Sequence, residues 1–267
     1  HTHDYIATGK MDTKFGFPLY EAADAVAQAM AKPNLSLVGF HFHIGSLITE
    51  TQPYQEAIEL VLDFAADMNE RYGFKLEELD VGGGFAIPYT TESEVPPLAD
   101  YAQAVVTTIV NKCKELNLPL PALTIEPGRA IIGQAGVAVY KVGAIKDITG
   151  IRRYIIVDGG LADNIRPALY GAKYEAVVAN KMLEKEQELV TIAGPYCESG
   201  DVLVKDIDMP SIELGDIIAV PDCGAYCLPM ANNYNGALKP AVMMTRSGEA
   251  RLIRRRESYE DLARHDI

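Results

Sequence analysis

The sequence has no apolar run long enough to cross a membrane: no window holds the roughly 18 uninterrupted apolar residues that a spanning helix needs. The opening HTHDYIATGK has neither the basic start nor the apolar block of a secretory signal, so nothing argues for export and the expected address is the cytoplasm. Positive charge is scarce. With 24 Lys+Arg against 37 Asp+Glu, the formal net charge is −13, and Arg254, Arg255 and Arg256 form the one basic cluster. Such a surface repels a phosphate backbone, so neither nucleic acid nor a membrane is an expected partner. The four cysteines, Cys113, Cys197, Cys223 and Cys227, form no C-x-x-C pair. The nearest two are four apart with no matching His/Cys pair, so structural zinc and a disulfide framework are both poor expectations and no metal is expected. Internal repeats and low-complexity stretches are absent as well.

What is present suits a folded chain. The 267 residues are 48% hydrophobic and 23% charged, too apolar for disorder and long enough for one large domain or two modest ones. The chain opens on His1 rather than Met, in a polar, turn-rich segment, as though it began partway through a longer protein.

Residues 17 to 131 alternate between helical and strand patterns. Pro18 can open a helix at its first position, after which Leu19, Ala22, Ala23, Val26 and Met30 recur at helical spacing. A strand is expected at Ser36 to Phe42. Tyr54, Ala57, Ile58, Val61, Leu62, Ala65 and Met68 form a second apolar stripe, stopped by Gly73 and followed by a strand at Leu76 to Val81. Leu98, Tyr101, Ala102, Val105, Ile109, Cys113 and Leu116 form a third, leading to a strand at Ala122 to Glu126, so Cys113 is expected to be an inert core residue. This βαβαβ rhythm implies parallel strands joined by crossover helices. A closed (β/α)8 barrel takes about 250 residues, so the roughly 115 here form either a small open sheet or part of a barrel.

After about Ile132 the pattern turns to strands separated by turns: Val137 to Ile145, Arg153 to Val157, Glu175 to Val178, Leu189 to Ala193 and Asp216 to Val220. Val242 to Arg254, broken at Ser247-Gly248, reads as a hairpin. The expected fold is therefore α/β plus all-β, with 1–131 in the first domain and 132–267 in a second, mostly antiparallel one.

Three motifs end the first domain's strands, the edge on which open sheets and barrels both place their ligands. In Phe40-His41-Phe42-His43-Ile44-Gly45-Ser46, alternation points His41 and His43 the same way, offering a flat imidazole face and a nearby hydroxyl; two satisfied core histidines would look the same. In Asp80-Val81-Gly82-Gly83-Gly84-Phe85, bare backbone can turn its N–H groups on an anion, whereas a tight turn needing positive φ accounts for one glycine well and for three poorly. In Glu126-Pro127-Gly128-Arg129, carboxylate and guanidinium suit either an ion pair or a ligand with a basic nitrogen at one end and an anion at the other. Pyridoxal phosphate has that shape, and its ring nitrogen needs a carboxylate to stay protonated.

In the second domain, Gly194-Pro195-Tyr196-Cys197-Glu198-Ser199-Gly200 sets a thiol and an acid in a loop, where a cysteine is more accessible than in a core. Asp222-Cys223-Gly224-Ala225-Tyr226 offers a phenol, and Asn164-Ile165-Arg166-Pro167-Ala168-Leu169-Tyr170 a guanidinium and a phenol. Each alone is more often structural than functional.

Together HFHIGS, DVGGGF, EPGRA, NIRPALYGAKY, GPYCESGD and CGAY, with the opening HTHDYIATGKMDTKFGF, resemble the group III, alanine-racemase-fold, pyridoxal-phosphate decarboxylases over nearly the whole chain. The resemblance implies the C-terminal part of a pyridoxal-phosphate-binding (β/α)8 barrel followed by a β-domain. It implies that His43 stacks on the cofactor ring, that Ser46, Gly82, Gly83 and Gly84 hold its phosphate with Arg129 on phosphate, that Pro127 and Gly128 contact the cofactor, and that Glu126 pairs with the pyridine nitrogen. It assigns Arg129 also to a substrate carboxylate, Tyr226 to both cofactor and substrate, and Arg166, Tyr170 and Glu198 to the substrate. Cys197 becomes the proton donor, reaching into a partner subunit's site, so a homodimer acting on a small amino acid is implied.

Glu198 directly after Cys197, together with Arg166, resembles the branch that converts meso-2,6-diaminopimelate to L-lysine and CO2, whereas ornithine decarboxylases tend to carry Asp there. A decarboxylase of ornithine, lysine, arginine or carboxynorspermidine, or a non-catalytic cofactor binder, is the alternative. One departure stands out: the Tyr-x-x-Lys-type motif that anchors the family's cofactor is missing. Lys10 and Lys14 belong to a later segment, so neither replaces it, and this chain alone is expected to be inactive.

Overall fold

A computed structural model describes residues 14–185 and 188–267. Lys10 and most of the opening HTHDYIATGKMDTKFGF motif lie outside the described residues. The rest falls into two compact units, one of residues up to 88 with 92–131, the other of 89–91 with 132–267.

The first unit runs α1 (Leu19–Met30), β1 (Gly39–His41), α2 (Gln52–Tyr72), β2 (Glu78–Asp80), α3 (Leu98–Glu115), β3 (Ala122–Thr124) and the short α4 (Gly128–Ile132). Pro18 occupies the N-cap of α1 rather than its first turn, in extended conformation. In α2 the expected stripe is the buried face, and Gly73 closes the helix at φ +70° with its N–H on the Asn69 carbonyl at 2.9 Å. Cys113 is buried in α3, and burial pushes its thiol pKa up, as suits an inert core group.

The strands pair in parallel in the order β1-β2-β3, with Phe40 beside Leu79 and Leu79 beside Leu123. The strands are three residues each, shorter than the apolar runs suggest, and single backbone bonds such as Phe42 N–H to the Asp80 carbonyl at 3.1 Å carry the pairing into the motifs.

The core of this unit is mainly aliphatic, with an aromatic cluster inside it. The Tyr54 ring stacks on Phe85 at 5.0 Å, and Tyr101 meets both rings edge-on. Each phenol also finds a backbone acceptor: Tyr54 donates to the Gly83 carbonyl at 2.8 Å and Tyr101 to the Ile48 carbonyl at 2.6 Å. The core thereby grips the two loops that leave β1 and β2.

The second unit is built on a six-stranded sheet ordered β6-β9-β4-β5-β7-β8: β4 (Ala138–Ile148), β5 (Arg152–Val157), β6 (Val177–Val178), β7 (Glu188–Ala193), β8 (Val202–Met209) and β9 (Ile217–Val220). Its pairs are antiparallel except β5 with β7. The hairpin β10 (Val242–Arg246) and β11 (Glu249–Arg254) turns at Ser247-Gly248 as expected. Two short helices, α5 (Arg166–Tyr170) and α6 (Tyr259–Ala263), complete the unit.

Strand β8 is absent from the sequence reading. Its alternation is broken by register shifts against β7 and by Asp206, which sits at φ +53° with its carboxylate on the Arg152 guanidinium. A charged residue in the middle of the strand is thus a bulge with its own counter-ion.

Replacing Tyr54 with Phe removes a hydroxyl and leaves the buried Gly83 carbonyl without that donor. Denaturant unfolding is expected to register a loss of about 1–3 kcal/mol, and an unchanged midpoint would contradict the grip on the glycine bend.

Candidate active site

The three motifs of the first unit meet at the C-terminal edge of its parallel sheet. The glycine bend is where they interlock. Gly82 and Gly84 adopt φ +69° and +94°, conformations that disfavour other residues. Gly83 has no such φ, but a Cβ on it would overlap the Glu126 carbonyl, while one on Gly84 would overlap the Gly45 carbonyl and one on Gly82 would press on the Phe42 carbonyl. The exits of β1 and β3 therefore rest directly on bare backbone from β2. Positive φ accounts for two of the three glycines, and close backbone approach gives each of the three a steric reason, Gly83 included.

Two of the bend's amides are already engaged. Gly82 N–H donates to Asp80 Oδ1 at 2.8 Å and Gly83 N–H to His43 Nδ1 at 3.2 Å. His43 thus accepts at Nδ1, which requires the neutral ring or at least an unprotonated Nδ1. Burial lowers its pKa below the ordinary 6.5 and His41 adds to this, while the charges of Glu126 and Asp80 oppose it. His41, one residue before the strand gives out, turns instead to Asp80, with Nδ1 to Oδ2 at 2.9 Å. The two histidines therefore serve different partners.

Ser46 and Arg129 come together across the edge: the guanidinium donates to the Ser46 hydroxyl at 2.8 Å. Arg129 is only 7% exposed, a cation sunk into an acidic chain. The turn that delivers it runs through Pro127, with Gly128 N–H on the Glu126 carbonyl at 2.8 Å. The Glu126 side chain is exposed, and one of its oxygens lies with His41 and Asp80 in a group whose ligand atoms are all within 4.8 Å of one another.

The second unit holds the other candidates. Arg166 is 2% exposed, its guanidinium over the Tyr89 ring at 4.8 Å and the Tyr174 ring at 5.5 Å, with Nη1 donating to the Tyr174 hydroxyl. That hydroxyl lies 3.5 Å from Cys227 Sγ. Cys227 is made the more acidic of the 223/227 pair by a hydrogen bond from Cys223 and by those from Tyr174 and Arg166, while the Cys223 thiol is pushed up. Tyr89, Tyr174 and Cys227 went unassigned from sequence; the second tyrosine of NIRPALYGAKY, four after the first, was the available signal. Tyr170 is partly buried at the end of α5.

Tyr226 is partly exposed and adopts φ +63°, carried by a turn whose Gly224 packs against the Ile132 carbonyl with no space for a Cβ. Cys197 and Glu198 are exposed on their loop, whereas Cys113, Cys223 and Cys227 are buried.

Residues 1–133 match the family described as pyridoxal-dependent decarboxylase, pyridoxal binding domain. The chain belongs to that decarboxylase family. Among its relatives it is similar to diaminopimelate decarboxylase of Bacillus subtilis, 43% identical over 269 residues, covering 100% of this chain and 61% of the relative. Crystal structures of diaminopimelate decarboxylase from M. jannaschii with L-lysine (TM-score 0.91, 37% identity, 100% of this chain and 60% of that one) and from Helicobacter pylori with L-lysine (TM-score 0.88, 35%, 98% and 63%) share its fold. The chain spans about 60% of the length of these relatives. Its fold is accordingly a portion of the pyridoxal-binding barrel and a mostly antiparallel β-domain. Among the described residues, no helix is long and apolar enough to cross a membrane.

Because the folded-state pKa of His43 lies below its unfolded value of 6.5, the unfolded chain binds the proton more readily. Stability from this group is full above that value and falls as pH drops through it. Unfolding midpoints measured between pH 8 and pH 5 should decline more steeply for the wild type than for His43→Gln; parallel curves would refute this.

Proposed function

We propose that the chain serves the pyridoxal-phosphate-dependent decarboxylation of meso-2,6-diaminopimelate to L-lysine and CO2. The observation that carries this reading is the meeting of the Ser46–Arg129 pair, the His43 ring and the exposed Glu126 carboxylate around one glycine bend. The cofactor fits those donors: a hydroxyl and a buried guanidinium suit its phosphate, and a carboxylate suits its ring nitrogen. Pyridoxal phosphate, when bound, supplies the sink for the electron pair that departing CO2 leaves behind.

Glu126 would hold a proton on the ring nitrogen, and His43 would cover the ring face. Ser46 would hold the phosphate beside Gly82, Gly83 and Gly84, Pro127 and Gly128 would lie at the cofactor, Arg129 would bind the phosphate or a substrate carboxylate, and Tyr226 would serve both cofactor and substrate. Since the Gly82 and Gly83 amides already have acceptors, the hydroxyl and guanidinium carry more of the anion than the bend does. Arg166, Tyr170 and Glu198 recognise the ends of the substrate, where an unpaired buried charge would cost most. Cys197 returns a proton to the α-carbon in a partner copy's site. Residues 1–131 act as the cofactor domain of a cytoplasmic homodimer.

Glu198 favours diaminopimelate over ornithine as substrate, and the thiol–acid pair argues against a pure cofactor binder, which needs no proton donor. A substrate panel on the holoenzyme tests the reading: turnover should be fastest with meso-diaminopimelate, and Cys197→Ala should lower it by about 10²-fold or more with cofactor absorbance kept. Faster turnover of another amino acid, or unchanged turnover in the variant, would overturn it. This chain alone is expected to form no covalent bond to the cofactor. Borohydride treatment in the presence of pyridoxal phosphate should leave its lysines unmodified by mass spectrometry, and a cofactor-bearing lysine would refute that.

A further inference from the structure

We infer that Asp201 is the positioning residue for Cys197, locking the thiol-bearing loop through a buried carboxylate that accepts from backbone on both sides of it. The inference rests on the role proposed for Cys197. Asp201 is 3% exposed. Its Oδ1 accepts from Leu161 N–H at 2.7 Å and its Oδ2 from Tyr196 N–H at 2.9 Å, so one carboxylate ties the residue before the thiol to a separate stretch of chain.

Two glycines make room for it. A Cβ on Gly160 would overlap Oδ1 and one on Gly194 would overlap Oδ2. The backbone of Asp201 completes the closure: its carbonyl accepts from Gly194 N–H at 3.0 Å and its N–H donates to the Glu198 carbonyl at 3.0 Å. Glu198 N–H in turn donates to the Tyr196 carbonyl at 2.8 Å. Residues 194–201 therefore form a ring of bonds with the Asp201 side chain as its internal strut, and the two functional side chains point out of it, exposed. Burial raises the pKa of this carboxylate while the Leu161 and Tyr196 bonds lower it, as expected of an acid held by two amides inside the fold.

The carboxylate form is specific. An Asn at 201 offers one acceptor oxygen, so its NH2 must face either the Leu161 or the Tyr196 N–H, donor against donor. Asp201→Asn in the holoenzyme is expected to lower kcat by about tenfold or more, the scale of misplacing a reacting group, with KM within about twofold and cofactor absorbance unchanged. In this chain itself, hydrogen exchange at the Tyr196 amide should speed up. Gly160→Ala displaces Oδ1 from outside the loop and should reproduce both effects; it also serves if Asp201→Asn does not fold. Loosened exchange with unchanged kcat, or unchanged exchange in both variants, would overturn the inference. If Cys197→Ala is itself fully active, the reading of the thiol fails instead, and the two failures are told apart in one assay.

Discussion

Backbone lying against backbone at Gly82, Gly83 and Gly84 is the constraint on which the first unit's chemistry depends. Parallel strands converge only as closely as their side chains allow, and here the exits of β1 and β3 come to rest on a segment with no Cβ at all. That contact sets where His43, Ser46 and Glu126 stand, because the carbonyls of Phe42, Gly45 and Glu126 rest on the bend. Stiffness comes from below: the Tyr54 phenol, wholly buried, holds the Gly83 carbonyl, so the helix that closes the crossover also fixes the turn. The entropy that three glycines lose on folding is offset here by the close contacts of the bend and by the Tyr54 hydrogen bond.

Electrostatics then divides the site into two ends. The chain is strongly acidic, yet Arg129 is buried at the edge of the sheet, where low dielectric strengthens its pull on an anion and a hydroxyl already points at it. At the other end Glu126 stays exposed, beside a histidine whose pKa burial lowers and a second histidine paired with Asp80. A ligand with an anionic group and a basic nitrogen matches that polarity, and a uniformly charged one does not.

Much of this was legible in the sequence, and the reasons differ from one element to the next. Helices α1, α2 and α3 are legible because each carries apolar residues at helical spacing, a stripe largely buried in α2 and α3 but buried in α1 at Val26 alone, and α2 also has a glycine stop. Parallel strands were located but drawn too long, since apolar residues continue past the point where pairing ends. Strand β8 was invisible because a bulge and a paired Asp206 spoil its alternation. The aromatic clamp of Tyr89 and Tyr174 on Arg166 was beyond reach for another reason: Tyr89 lies far from Arg166 in sequence, and nothing in its own neighbourhood, IPYTT, marks it as a partner.

The two loops proposed to carry function, one in each unit, share one physical device. In each, glycines strip the backbone so that a group without freedom to move fills the space: carbonyls of the adjoining strands at the 82–84 bend, the Asp201 carboxylate at Gly160 and Gly194. Side chains offered for chemistry then hang from a frame whose own polar groups are consumed internally. Such a loop holds an exposed thiol or imidazole in one place without burying it, which a packed core cannot do and a flexible loop does poorly. Motif glycines are thus as much a property of the frame as of the ligand, and a sequence motif rich in them marks where backbone must be bare before it marks what is bound there.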